Sequence, residues 1–184
     1  MLLSARSNQF RFSFPRSFIP PEVADKYRPY FNRMPGGLIK EPIDYWNYGI
    51  QSINLPGVSY SPVEQEEFRG GTKTFRGSVP IEKLFQNELT VTMQGFDGWI
   101  NYWMAIDTFN YYYNLTGKFP HLPEGNGIQI LDGEGTALVT VRLKEMIWSS
   151  VSSLDLNFSS NTIEFQTFDL GFNYNSIDFK IDLV

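Results

Sequence analysis

Alternation of apolar and polar residues recurs along most of the chain and predicts strands. Gln9-Phe10-Arg11-Phe12-Ser13-Phe14 places three Phe on one face of a short strand. Leu89, Val91 and Met93 alternate with Thr90, Thr92 and Gln94, the pattern of a half-buried strand. Residues 127–131 and 136–143 flank Asp132-Gly133-Glu134-Gly135, a hairpin signal with Gly available for positive φ. Residues 151–158 set Leu154, Leu156 and Phe158 on one side. Across 162–174 the apolar parity shifts from Ile163 and Phe165 to Phe168, Leu170, Phe172 and Tyr174. A bulge near Gln166-Thr167, or passage from one packing surface to another, accounts for that shift. Ile177, Phe179, Ile181 and Leu183 then alternate with Asp178, Lys180 and Asp182.

Helical spacing is clearest after Asp97-Gly98, a cap signal. Trp99, Tyr102, Trp103, Ile106, Asn110 and Tyr113 form a broad aromatic stripe there, expected to lie flat against a sheet. Between residues 15 and 46 prolines and glycines break the strand pattern. This stretch reads as a proline-rich arm or insertion. Pro21 opens a short helix within it, with Val23, Tyr27 and Tyr30 or Phe31 on one side. Its aromatics need a surface, either the domain's own or a neighbouring subunit's. The chain is extended again over 48–60, with a Pro56-Gly57 turn signal. Residues 61–80 read as a projecting hairpin, on the echo Phe68-Arg69-Gly70 and Phe75-Arg76-Gly77. The expectation is one domain over residues 1–184, mainly antiparallel β, a barrel or sandwich with one flanking helix.

Composition narrows the function. The 184 residues are 16% aromatic and only 19% charged, which excludes a disordered chain. The net charge of −5 disfavours a free-standing nucleic-acid binder, which needs a basic footprint. With no Cys, disulfide scaffolds, thiolate metal sites and cysteine nucleophiles are excluded. The charge is unevenly spread. Residues 1–76 carry ten basic and seven acidic side chains, net +3, and residues 77–184 five and thirteen, net −8. Such polarity suits a molecule whose faces meet different partners. Met1-Leu2-Leu3-Ser4-Ala5-Arg6 lacks the apolar run of a signal peptide, and no stretch nears the roughly 20 apolar residues of a membrane helix. Neither secretion by a leader nor membrane insertion is expected.

Candidate chemistry is sparse. The single His121 sits in Phe119-Pro120-His121-Leu122-Pro123 with no neighbouring carboxylate, as an ordinary loop residue does. Asp132 and Glu134 are close, but their glycine-bearing turn already explains them, and the calcium-loop ligands that should follow are missing. The glycines of 70–77 and 125–135 lack the spacing of a phosphate loop. Asn114-Leu115-Thr116 and Asn157-Phe158-Ser159 have acceptor spacing for glycosylation, without a secretory signal to give it meaning. Arg69, Lys73 and Arg76 gather positive charge, more in keeping with a contact to an acidic neighbour than with a phosphate-binding patch. No enzyme activity, metal or cofactor is expected.

Taken in order, several segments resemble the tail-tube proteins of contractile-tailed bacteriophages. Val139-Thr140-Val141-Arg142-Leu143-Lys144-Glu145-Met146-Ile147-Trp148 is similar to that family's strand running into a tryptophan. Leu154-Asp155-Leu156-Asn157-Phe158, followed by Ser159-Ser160-Asn161, resembles its leucine–polar–leucine pattern before a polar turn. Ile163-Glu164-Phe165-Gln166-Thr167-Phe168 is similar to its Asn-x-Ile-Gln-Thr-Phe stretch, with Phe165 where an Ile is usual. Asn8–Phe12, Ile53–Val58, Leu89–Met93 and Tyr102-Trp103 resemble the opening strand, the approach to the long hairpin, its return strand and the tryptophan helix. The likeness covers roughly residues 8–14 and 48–174, while the 15–46 insertion and a last strand over 177–183 depart from it. Both a main tube subunit and a tube-like baseplate, initiator or terminator subunit remain open.

The resemblance implies a virion structural protein, made in the host cytoplasm and assembled into the phage tail. Six copies would form a ring, and rings would stack into or cap a tube for genome delivery. Partners would be further copies and the sheath, baseplate and terminator proteins, with DNA passing through unbound. The lumen-facing candidates are Asp155, Asn157, Glu164, Gln166, Asp178 and Asp182, whose polar and acidic character repels phosphate. Arg69, Lys73 and Arg76 are the candidates for contact with the next ring. A second reading is a soluble carbohydrate-binding β-sandwich, which would expose Trp99, Trp103 or Tyr111–Tyr113 beside acids in a groove.

Overall fold

The computed structural model of the protein describes residues 9–32, 39, 41–55, 63–66, 74–77, 88–116, 127–154 and 166–182. Two four-stranded antiparallel sheets face each other across a shared core. Sheet 1 contains β1 (Phe10–Arg11), β6 (Gly127–Leu131), β7 (Ala137–Lys144) and β10 (Ser176–Ile181), in that spatial order. Sheet 2 runs β2 (Ile50–Asn54), β5 (Glu88–Gln94), β9 (Thr167–Asn173) and β8 (Ile147–Val151). A separate pair, β3 (Val63–Glu66) and β4 (Thr74–Gly77), lies within the 61–80 stretch and is antiparallel. Among the described residues three α-helices accompany the sheets: α1 (Pro21–Phe31), α2 (Pro42–Tyr48) and α3 (Ile100–Asn110). The mainly antiparallel β architecture is as the pattern predicts; α3 is the flanking helix, α1 the short helix opened by Pro21, and α2 was not expected.

Alternation does in the sheets what it predicts. Leu89, Val91 and Met93 of β5 and Phe168, Leu170 and Phe172 of β9 are all buried on one face, and register pairs them directly. The β6–β7 hairpin also forms, with the Asp132 carboxylate accepting the Glu134 and Thr136 N–H groups and Gly135 at φ +86°. The first strand is shorter than Gln9–Phe14. Only Phe10 and Arg11 pair with β6, and Phe12 and Phe14 turn away to meet edge to face at 5.0 Å. Asn47 takes over the role of a ladder neighbour, accepting the Phe14 N–H at 2.7 Å and donating to its carbonyl at 3.1 Å.

The proline-rich stretch packs on the domain itself. Phe18 stacks on Phe14 at 4.6 Å and lies 5.1 Å from Trp148, while Trp46 crosses Trp148 at 6.3 Å. In α1, Pro21 occupies the first turn where a missing N–H costs nothing, and Val23, Tyr27 and Phe31 bury one stripe. Helix α2 has Pro42 in its first turn and a reciprocal capping box between Glu41 and Asp44. Pro42, Ile43, Tyr45 and Trp46 are its buried residues.

In α3 the helix is as expected but its buried face is not. Asn101, Met104, Ala105 and Thr108 face inward, and Trp103 is half exposed. The entry turn explains the rotation. Gly98 and Trp99 both have positive φ, and no side chain caps the helix; Asn101 instead accepts the Phe96 N–H and donates to the Gln94 carbonyl. A buried polar anchor therefore sets the helix phase, overriding the apolar stripe.

Candidate functional site

The two outer faces of the sandwich differ sharply in chemistry. On sheet 2, inward residues are apolar and outward ones are small and polar. Register aligns Asn54, Thr90, Gly171 and Ser150 in one row across all four strands. Ser52, Thr92 and Asp169 form the next row. Gln51 donates to Gln94 at 3.1 Å alongside them. A Cβ on Gly171 would stand 2.3 Å from the Ser150 hydroxyl, so glycine lets that side chain lie across the face. The four strands contain no Lys or Arg, and their carboxylates are Glu88 and Asp169 alone.

Sheet 1 presents the opposite character. Arg11, Gln129, Thr140 and Lys180 share one outward row, and Gly127, Arg142 and Asp178 the next. Lys144 pairs with Asp178 at 2.6 Å and Lys180 with Asp182 at 2.6 Å. The Thr140 hydroxyl also donates to Asp182 at 2.6 Å. Hydrogen bonds from Lys180 and Thr140 hold the Asp182 carboxyl below its usual range. A shallow groove of about 500 Å³ runs over Arg11, Phe12, Gln129, Thr140, Arg142 and Lys180.

A second groove, about 700 Å³, opens at one side of the sandwich. Phe10 and Arg11 line it from sheet 1 with Phe12 just after them, and Asn47 and residues 50–53 from the neighbourhood of sheet 2. It is the mouth of the space between the sheets, where β1 and β2 are the edge strands. At the other side the edge strands are β10 and β8, and Phe179 and Ile181 of β10 are 61% and 67% exposed.

The residues singled out from sequence fall in separate places. Asp178 and Asp182 lie on and just after β10 in sheet 1. Gln166 precedes β9 in sheet 2, exposed, its carbonyl accepting the Gly95 N–H at 3.0 Å. Arg76 belongs to the backbone of β4. Arg69, Lys73, Asp155, Asn157, Glu164 and His121 lie outside the described residues. The structure thus keeps Asp178 and Asp182 with sheet 1, each paired to its own lysine, and sets Gln166 at the other sheet. The outward row of Ser52, Thr92 and Asp169 was not singled out. Its signal was the polar half of the same alternation that marked β5 as a strand.

Among the described residues no cluster of His, Asp or Glu is arranged to hold a metal ion. Trp46 and Trp148 are fully buried, and neither groove is lined by Trp99, Trp103 or Tyr111–Tyr113.

No protein-family model matches the sequence, and no curated protein matches it significantly. Solved structures do match. A chain of the cryo-EM structure of the anti-feeding prophage baseplate aligns over 71% of this chain and 80% of its own, with 11% identity and a TM-score of 0.50. The chain shares that baseplate chain's fold. A chain from the sheath/tube terminator of an extracellular contractile injection system is 15% identical over 71% of this chain and 84% of its own, TM-score 0.45. One from the sheath-tube complex of such a system is 14% identical over 72% and 81%, TM-score 0.45.

Proposed function

We propose that the protein is a structural subunit of a contractile tail or tail-like injection apparatus, a tube or tube-like component that closes into a homohexameric ring. One observation carries the reading. Among the described residues each four-stranded sheet alternates in strand direction, with β1 and β2 at one open side and β10 and β8 at the other. Repeating the molecule side by side therefore sets β8 against the next copy's β2, and β10 against its β1, antiparallel in both junctions. Ring closure covers the open edges of both four-stranded sheets and makes two concentric sheets. The shared fold with a baseplate chain of the anti-feeding prophage supports the same role.

Sheet 2 suits the inner wall. Its outward face combines hydroxyls, amides and two carboxylates with no cation, a surface that neither binds nor traps phosphate. A genome or another anionic cargo passes along such a wall without specific contacts. Sheet 1, with its Lys and Arg side chains, then faces outward toward sheath or baseplate partners. Gln166 belongs with the inner wall, and Asp178 and Asp182 with the outer one. Arg69, Lys73 and Arg76 remain the proposed contact to the next ring. The role is structural and needs no catalytic group or cofactor, and its place is the assembled particle, a phage virion in the first instance.

Electron microscopy of the full chain, alone and co-expressed with its tail partners, tests the proposal. Six-fold rings with an open centre are expected, and strict monomers under both conditions overturn it. Reversing charge at Arg69, Lys73 and Arg76 together should leave rings intact while reducing their stacking.

A further inference from the structure

Phe179 and Ile181 are large apolar side chains standing in water on an edge strand, although β10 alternates correctly for burial. Register shows why. Ile181 pairs with Val139 and Phe179 with Val141, so both point to the core side of sheet 1, where Val141 is buried. They lie at the last strand of the sheet, past the reach of the core. Sheet 1 overhangs at this side, and its overhang is apolar.

The opposite side of the molecule is the complement. The 700 Å³ groove between β1 and β2 sets Phe10, Phe12, Ile50 and Ile53, all half buried, beside the polar Arg11, Asn47, Gln51 and Ser52. A single apolar row, Phe10, Ile130, Val139 and Ile181, runs in register from one edge of sheet 1 to the other. One end of that row borders the groove, and the other end is the overhang.

We infer that the occupant of the groove is a second copy of this chain, which inserts Phe179 and Ile181 between β1 and β2 of its neighbour. Strand direction permits the fit, because β10 and the next copy's β1 are antiparallel when the molecules are related head to tail. The inserted side chains continue the neighbour's core, as Ile130 and Val139 do within one subunit. The contact joins two different surfaces, so each copy gives one overhang and receives another, and repetition closes a ring or extends a filament. The inference rests on the ring reading and names the side chains that hold the ring together. An exposed β10 edge also stops being an aggregation hazard once a neighbour covers it.

The absence of cysteine from the sequence gives a clean covalent test. Phe10 and Ile181 stand three strand spacings apart within one subunit, roughly 14 Å. A disulfide spans at most about 7 Å between Cα atoms. In a chain carrying both Phe10→Cys and Ile181→Cys, any bridge between these positions is therefore between molecules. Oxidation should yield a ladder beyond dimer on non-reducing gels, whereas either single variant stops at dimer. A Phe179→Asp/Ile181→Asp double variant, with both changes at exposed sites, should retain its melting transition and lose the assembled fraction in sedimentation velocity. If wild-type rings form and this variant forms them equally, the insertion is wrong and the ring reading stands. If the wild-type chain stays monomeric with its partners and no ladder appears, both fall.

Discussion

The Tyr27 hydroxyl of α1 donates a 2.5 Å hydrogen bond to the Asp107 carboxylate of α3, joining helices 80 residues apart in sequence. Lys26 bonds the same carboxylate oxygen from the solvent side. The pair fastens the proline-rich segment to the helix that abuts the sheets.

Removing that acceptor should cost more than removing the cation. Asp107→Ala leaves the part-buried Tyr27 hydroxyl without its partner, a loss of about 2 kcal/mol for a hydrogen bond to a charged group. Lys26 is 62% exposed, so Lys26→Ala should cost less than about 1 kcal/mol. Denaturant titrations of the two variants check the order, and equal losses would contradict it.

Stability should decline in alkali. Burial first, then the hydrogen bond to Asp107 and its negative charge, raise the Tyr27 hydroxyl well above its ordinary value. Burial is also the main cause of the upward shifts at Tyr112, Tyr113 and Tyr174. Above about pH 10 an unfolded tyrosine releases its proton while the folded one holds it. The unfolded state then binds fewer protons, and unfolding becomes easier as pH rises. The stabilisation is fully present below that point. Melting temperatures across the alkaline range should fall, less steeply in Tyr27→Phe than in wild type; equal slopes would count against Tyr27 as a source.

Gly95 is where the entry to α3 is tightest. A Cβ there would lie 2.1 and 2.3 Å from carbons of the Trp99 indole, a rigid ring rather than a flexible tip. Trp99 is itself held at φ +65°. Gly95→Ala should therefore destabilise by about 1–3 kcal/mol through overpacking. It should also alter the near-ultraviolet circular dichroism. An unchanged spectrum and melting point would place the indole elsewhere.

Thr108 offers a gain. Its hydroxyl is fully buried in α3 with no hydrogen-bond partner among the described residues. Replacing it by the near-isosteric Val removes an unsatisfied polar group, so Thr108→Val should stabilise by about 1 kcal/mol. Calorimetry decides this, and a clear loss would mean that the hydroxyl is bonded in solution.

Strands were the most legible elements, because a two-residue period reports burial directly. The alternation in β5 and β9 placed each inward residue correctly, the β6–β7 hairpin turns at its glycine signal, and Pro21 with Val23, Tyr27 and Tyr30 or Phe31 marked α1, where Phe31 is the one buried. Helix α2 escaped because its seven residues follow a run of prolines and glycines and give no full amphipathic period. The aromatic stripe of α3 misled because the helix phase comes from Asn101, a polar contact across five residues of irregular chain.

The sequence by itself determined which residues of each strand share a face, since that follows from local geometry alone. It also determined the absence of cysteine chemistry and the opposed charges of the two halves. Only the tertiary structure decided which sheet each strand joins, and hence that Asp178 and Asp182 lie on one sheet and Asp169 on the other. It alone showed that Phe179 and Ile181, patterned for a core, overhang one. Alternation states that a side chain seeks apolar company, but not whether that company comes from its own chain. Strand order and the reach of the opposing layer are long-range quantities, and they make the difference here.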